Sequence, residues 1–333
     1  MNPSHTLLAT WFLVAVGSAC GSKAPAPTAP ADAVTEPAPS PVAEAPVAES
    51  QPAPPVEPPA PPPVLPVMTV EKAGLATPES VLYDAVNDVY LVSNINGGPS
   101  AKDSNGFISR ISPEGNVLAL KWIDGSAKAT PLHAPKGMAI VAGLLYVADL
   151  DTVRVFDMKT GKSKGNVALP GATFANDVAA GADGTVYVSD SGVTIDDKGI
   201  TPTKTDAVWA VKKMKAKALA KGEELGKPNG LYVTDKGVWV NTFGTGEIYL
   251  LDAKGARSAV QKVAGALDGL YVEGDQVWTT SWEQSALMSG TNGGAFSMAQ
   301  GGLPAPADFA YDSKRNLLVV PLFNDNKIVA YRR

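Results

Sequence analysis

An all-β fold, a six-bladed β-propeller over residues 67–333, is predicted by three observations. A short opening motif recurs six times, each copy leads through a tight turn into a β-rich strand, and a spare β-type segment stands ahead of the first copy. The copies read PESVLYD, PKGMAIV, ANDVAAG, PNGLYVT, LDGLYVE and ADFAYDS. Their second residues are Glu79, Lys136, Asn176, Asn229, Asp268 and Asp308, spaced by 57, 40, 53, 39 and 40 residues. A period near forty with several short strands per unit and hardly any helix is the signature of propeller blades. The strands that follow the motifs are DVYLVSN, LLYVAD, TVYVSD, GVWVNTF, QVWTTSW and NLLVVPLF, and a third strand usually comes next, as in TVRVFD, AVWAV, GEIYLLD and KIVAYR.

The final copy runs out of chain after three strands. The segment 66–73, PVMTVEKA, is therefore expected to supply the outer strand of the last blade, closing the ring and removing an exposed sheet edge. Tyr146, Tyr187, Trp239 and Trp278 recur in the second strands with the period of packing between blades, so they read as core.

The Asn-Gly and Asp-Gly pairs inside the motifs are ordinary turn signals when taken alone. In a propeller, though, the inner strand of each blade lines the central channel, and equivalent positions form a ring. Glu79, Lys136, Asn176, Asn229, Asp268 and Asp308 are thus expected at one mouth of that channel. Three carboxylates and one lysine in one small space leave an excess of negative charge, which raises carboxylate pKa values unless a cation sits among them. With one histidine and no cysteine beyond residue 66, a tetrahedral nitrogen–sulfur zinc site is excluded. Oxygen ligands suit a hard divalent cation: Ca²⁺ first, Mg²⁺ or Mn²⁺ next. The competing reading is a polar plug in which Lys136 pairs with Asp308 and Glu79.

On these residues the chain resembles the regucalcin, gluconolactonase and luciferin-regenerating-enzyme family of six-bladed propellers, over essentially all of 67–333. The resemblance implies metal ligands at Glu79 in PES, Asn229 in PNG and Asp268 in LDG. It further implies a water- or substrate-contacting Asn176 in the Asn176-Asp177 pair, and Asp268 as acid/base. Two departures stand out. Relatives acting on sugar lactones carry an arginine two residues before that asparagine, where this chain has Phe174, and Lys136 is foreign to the metal motif.

Two long connections, 94–106 and 191–206, fall on the ring's face and read as binding loops or lids, with a disordered insertion as the alternative. His133 and Asp177 are placed on the same rim as possible channel groups. No G-x-S-x-G nucleophile elbow is present, so no serine triad is argued.

Residues 1–19 read as a lipoprotein-type signal peptide. The apolar run 7–16 is too short to span a membrane permanently and leads through Gly17-Ser18-Ala19 to Cys20, the chain's only cysteine and the expected lipidation site. The region 20–66 carries sixteen of the 28 prolines and no apolar periodicity, hence a spacer reaching on the order of 100 Å. The implied location is the bacterial cell envelope, outside the cytoplasm, with membrane attachment by lipid alone. Residues 67–333 hold 27 Lys and Arg against 28 Asp and Glu, which gives no electrostatic reason to expect nucleic acid. The one basic run, 211–222, reads as a solvated outer strand.

Two functions fit. One is a divalent-metal-dependent hydrolase of lactones or similar small esters. The other is a non-enzymatic, envelope-anchored propeller that binds a ligand or protein partner through its rim loops.

Overall fold

The computed structural model describes residues 65–333; the expected signal peptide and lipidation site at Cys20, and nearly all of the expected spacer, lie outside the described residues. Six four-stranded antiparallel sheets form the blades of a propeller. Each begins with an inner strand on the channel: Pro78–Asp84, Pro135–Val141, Ala175–Ala180, Pro228–Thr234, Leu267–Glu273 and, shorter, Ala310–Asp312. These head blades 1 to 6 in chain order. Blade 6 takes its outer strand from Met68–Val70, which pairs with Lys327–Arg332 through Met68–Ala330, Thr69–Val329 and Val70–Ile328. The ring therefore closes as the spare segment predicts, within 66–73 but three residues long.

The hydrophobic core is radial. Six separate clusters of buried side chains lie one between each pair of neighbouring blades. Second strands such as Val89–Asn94 and Leu317–Leu322 are buried along their whole length because a blade covers each face. Trp239 and Trp278 are buried in these interfaces, and Tyr146 and Tyr187 pack against them half-buried. Outer strands face water; Lys215–Lys221, the centre of the basic run, is one of them. With the apolar residues spent between blades, none is required along the channel, and polar side chains there have no packing role.

The motif glycines do not make turns. Gly137, Gly230 and Gly269 lie inside inner strands, and none has a positive φ. Their reason is close approach of the next blade. A Cβ on Gly230 would stand 2.1 Å from the carbonyl oxygen of Asp268, and one on Gly269 would stand 2.8 Å from the Phe309 nitrogen. One on Gly137 would meet Asp177. Blades 6 and 1 meet through backbone as well: Asp308 N–H donates to Glu79 O at 3.0 Å, and Val81 N–H to Asp308 O at 3.1 Å.

Candidate active site at the channel mouth

In blades 1 to 5 the pairing of inner and second strands slips at the motif, between Pro78 and Ser80, Pro135 and Met138, Ala175 and Val178, Pro228 and Leu231, and Leu267 and Leu270. Each slip is a bulge, which re-aims the side chain it contains. The residues caught there are Glu79, Lys136, Asn176, Asn229 and Asp268. The backbone donors freed by four of the bulges are taken up by second-strand side chains. Ser93 Oγ accepts from Ser80, Ser189 Oγ from Asp177, Asn241 Oδ1 from Gly230 and Thr280 Oγ1 from Gly269, at 2.7–2.9 Å. Three of the same side chains donate onward to the next blade, to the carbonyls of Asn229, Asp268 and Ala307.

The five bulge residues are each no more than 6 % exposed, and Asp308 is half-buried. Asp268 Oδ2 accepts from the indole N–H of Trp282 at 2.8 Å, while its Oδ1 is buried without a hydrogen-bond partner. Glu79 Oε2 is likewise buried and unpartnered. The Asn229 amide donates to Leu267 O at 3.2 Å. The Asn176 amide donates to Ser191 Oγ at 3.1 Å, and Ser191 in turn donates to Pro228 O at 2.8 Å. Asp308 Oδ2 accepts from Ser80 Oγ at 2.5 Å.

The electrostatics follow from burial. Glu79 is held well above the usual carboxylate range by burial first and the charge of Asp268 next, with Lys136 opposing. Asp308 is raised well above it by burial, then by Asp177 and, less, by Asp268. Burial pushes Asp268 up to about 7, against the bond from Trp282. Like charges held this close stay ionised only when a cation joins them.

The donor set fits a hard cation. Two orphaned carboxylate oxygens, on Glu79 and Asp268, belong to bulges equivalent to that of Asn229, and an unsatisfied buried carboxylate oxygen is costly unless a cation or a proton occupies it. Among the described residues no three His, Cys, Asp or Glu side chains form a metal cluster by themselves. A cation in this ring therefore depends on the amide oxygen of Asn229 as well as on the two acids.

Other rim residues stand differently from the sequence reading. Asp177 turns both carboxylate oxygens to backbone, Oδ1 accepting from Val178 N–H and Oδ2 from Leu231 N–H, each at 2.6 Å, so it ties blade 3 to blade 4 while its charge still reaches Asp308. Burial raises it to about 6 against those two bonds. Lys136 makes no ion pair among the described residues, contrary to the plug reading. Its ammonium donates to Pro99 O at 3.1 Å and Ala134 O at 2.9 Å, and lies 4.2 Å from the centre of the Phe174 ring. Burial lowers it to about 8, with Glu79 and Asp149 opposing. His133 anchors a loop: its Nδ1 accepts from Ser104 N–H at 3.1 Å.

Both long connections are ordered. The second contains a hairpin, Val193–Asp196 with Gly199–Pro202. The first reaches it where Ile195 N–H donates to Ser100 Oγ at 2.9 Å. Together they cover blades 1 to 3, and Lys136 holds the cover from beneath through Pro99. Trp282, Ser191 and the second-strand hydroxyls and amides were not singled out from the sequence. Their signal was there, as polar letters in otherwise apolar second strands: YVSD, WVNT, WTTS.

No family model matches the chain, and no curated protein sequence matches it. Solved structures do. The chain is similar to a proposed gluconolactonase, with TM-score 0.59 at 17 % identity over 80 % of this chain and 92 % of that one. A gluconolactonase from Xanthomonas campestris gives 0.58 at 14 %, over 79 % and 88 %. A virginiamycin B lyase from Staphylococcus aureus gives 0.53 at 13 %, over 79 % and 97 %. At these identities the likeness is one of fold alone.

Proposed function

We propose that this protein is a divalent-metal-dependent hydrolase of lactones or similar small esters, working at the channel mouth of its propeller. The observation that carries the reading is the pair of unpartnered buried oxygens, Glu79 Oε2 and Asp268 Oδ1, in one ring with Asn229. The fold it shares with a gluconolactonase and a proposed gluconolactonase supports it. Glu79, Asn229 and Asp268 would hold the cation, Ca²⁺ before Mg²⁺ or Mn²⁺, because all three offer oxygen. When bound, such an ion polarises a carbonyl and lowers the pKa of water.

The chain's own groups do the rest. Asp268 takes the proton from the attacking water and returns it to the leaving alkoxide; Trp282 holds its carboxylate in one rotamer by the indole bond. Asn176, oriented by Ser191, positions water or substrate. The Lys136 ammonium, held by the Pro99 and Ala134 carbonyls, tunes the charge at the mouth by opposing that of Glu79. The two ordered loops exclude bulk water over blades 1 to 3. Lipid anchoring at Cys20 would present this mouth at a bacterial envelope surface, and the ordered loops also suit the alternative, a rim that binds a ligand or partner without turnover.

The test is a panel of lactones and aryl esters assayed with the purified protein. We predict turnover of at least one, abolished by chelation and restored by Ca²⁺, Mg²⁺ or Mn²⁺. Turnover that survives exhaustive chelation would remove the metal from the account; a silent panel would favour the binding rim.

A further inference from the structure

A second ring of equivalent positions surrounds the first. The residue that follows each second strand is Ile95, Leu150, Ser191, Phe243, Trp282 and Phe323 in blades 1 to 6: apolar in five of six. Backbone bonds fix it. The N–H of Ile95, Ser191, Phe243, Trp282 and Phe323 donates to a carbonyl just ahead of its blade's inner strand, at 3.0–3.1 Å. Four of those carbonyl residues, Thr77, Lys227, Ala266 and Ala305, are non-glycine residues at positive φ, a conformation maintained only where the surroundings over-determine it. The collar is thus as rigidly placed as the polar ring inside it.

Its two sides differ. Ile95 and Leu150 are buried, whereas Phe243, Trp282 and Phe323 are half-buried and open to solvent. The three form a continuous aromatic arc, with ring centres 6.0 Å apart for Phe243–Trp282 and 5.2 Å for Trp282–Phe323. Phe323 carries it on to the Ile95–Leu150 cluster. The arc touches the chemistry directly, because the Trp282 indole donates to Asp268. Alongside it, a groove opens between blades 4 and 5, lined by Thr245, Lys262, Glu283 and Gln284 among others and by none of the arc's own side chains.

We infer that the aromatic arc Phe243–Trp282–Phe323 is the substrate's apolar subsite, and that the preferred substrates are lactones or esters bearing an aromatic ring or alkyl chain, not polyhydroxylated ones. This rests on the proposed hydrolase for the reacting ring but on the arc alone for the ligand class. A ring or chain gains contact area and edge-to-face geometry against the arc, whose one polar group, the Trp282 indole N–H, is already bonded to Asp268 and leaves no partner for a sugar's hydroxyls.

The test separates the two ideas by using ligands that cannot be hydrolysed. Binding of 3,4-dihydro-2-quinolinone (a lactam carrying a fused aromatic ring) and of 2-piperidinone (the same lactam without it) is measured by calorimetry on the full chain. The arc predicts at least about tenfold tighter binding of the aromatic lactam. Phe243→Ala and Phe323→Ala each reduce that preference severalfold, while Trp282→Phe keeps most of it. Equal affinity of the two lactams for the parent protein, or a preference that both alanine variants retain, overturns the subsite. A preference that holds in a protein hydrolysing no lactone sinks the hydrolase and leaves the arc standing as a binding site.

Discussion

Asp268→Asn lowers kcat/KM on any substrate the protein turns over by about 10²–10⁴-fold, the range for loss of a positioned acid/base group. The variant keeps the side chain's volume and can still accept from the Trp282 indole through its amide oxygen. It loses the charge and the ability to take a proton. Stability separates the chemical role from a structural one. In the metal-free protein Asp268 Oδ1 is buried without a partner, so neutralising the group costs no native hydrogen bond, and the melting temperature should hold or rise. A variant that melts well below the parent but keeps its activity would make Asp268 a packing residue. The same change should abolish any stabilisation that added Ca²⁺ gives the parent.

Gly230→Ala is expected to be the most destabilising single methyl in the channel wall, at about 3 kcal/mol or more, roughly 6–12 °C in melting temperature for a domain of this size. The added Cβ would lie 2.1 Å from Asp268 O and 2.9 Å from Asn241 Nδ2. Neither atom is free to move. Asp268 O accepts from Asn241, and Asn241 Oδ1 accepts from Gly230 N–H itself, so the three groups are one clasp between blades 4 and 5. Because Asp268 rides on that backbone, activity should fall with stability. Gly98→Ala is the matched control: its Cβ meets only the Ala101 Cβ at 3.4 Å, and thermal melts should place it within a degree or two of the parent.

The fold was legible because propeller strands repeat in sequence as they repeat in space. Six motif copies, each leading into a largely buried second strand, named the inner strands, and the spare β segment named the closing strand. The reason for the Asn-Gly and Asp-Gly pairs was not legible. Read locally they are turns, and only the neighbouring blade's backbone shows that glycine is there to let Asp268 O approach Gly230. Position along the motif puts Glu79, Asn229 and Asp268 on one ring, and the structure sets the three in equivalent bulges. It could not tell that Asp177, adjacent to Asn176, points its carboxylate at Val178 and Leu231 instead. Lys136 was read as a charge to be paired, but its partners are two carbonyls and the face of Phe174, groups whose approach depends on how the first long loop folds back. The aromatic collar escaped notice for a related reason. Ile95, Leu150, Phe243, Trp282 and Phe323 sit at the ends of strands already read as core, and only the exposure of three of them separates a wall from an interior.

The central claim is that the ring is a cation site, and the direct measurement is metal content by mass spectrometry at pH 8, where protons compete least for Asp268. The purified parent is compared with the Asn229→Ala, Asp268→Ala double variant after incubation with Ca²⁺ and Mg²⁺ and removal of free ion. The account predicts about one equivalent of divalent cation in the parent and none in the variant. An empty parent, or equal metal in both, would contradict it and leave the ring a set of protonated carboxyls closing the channel.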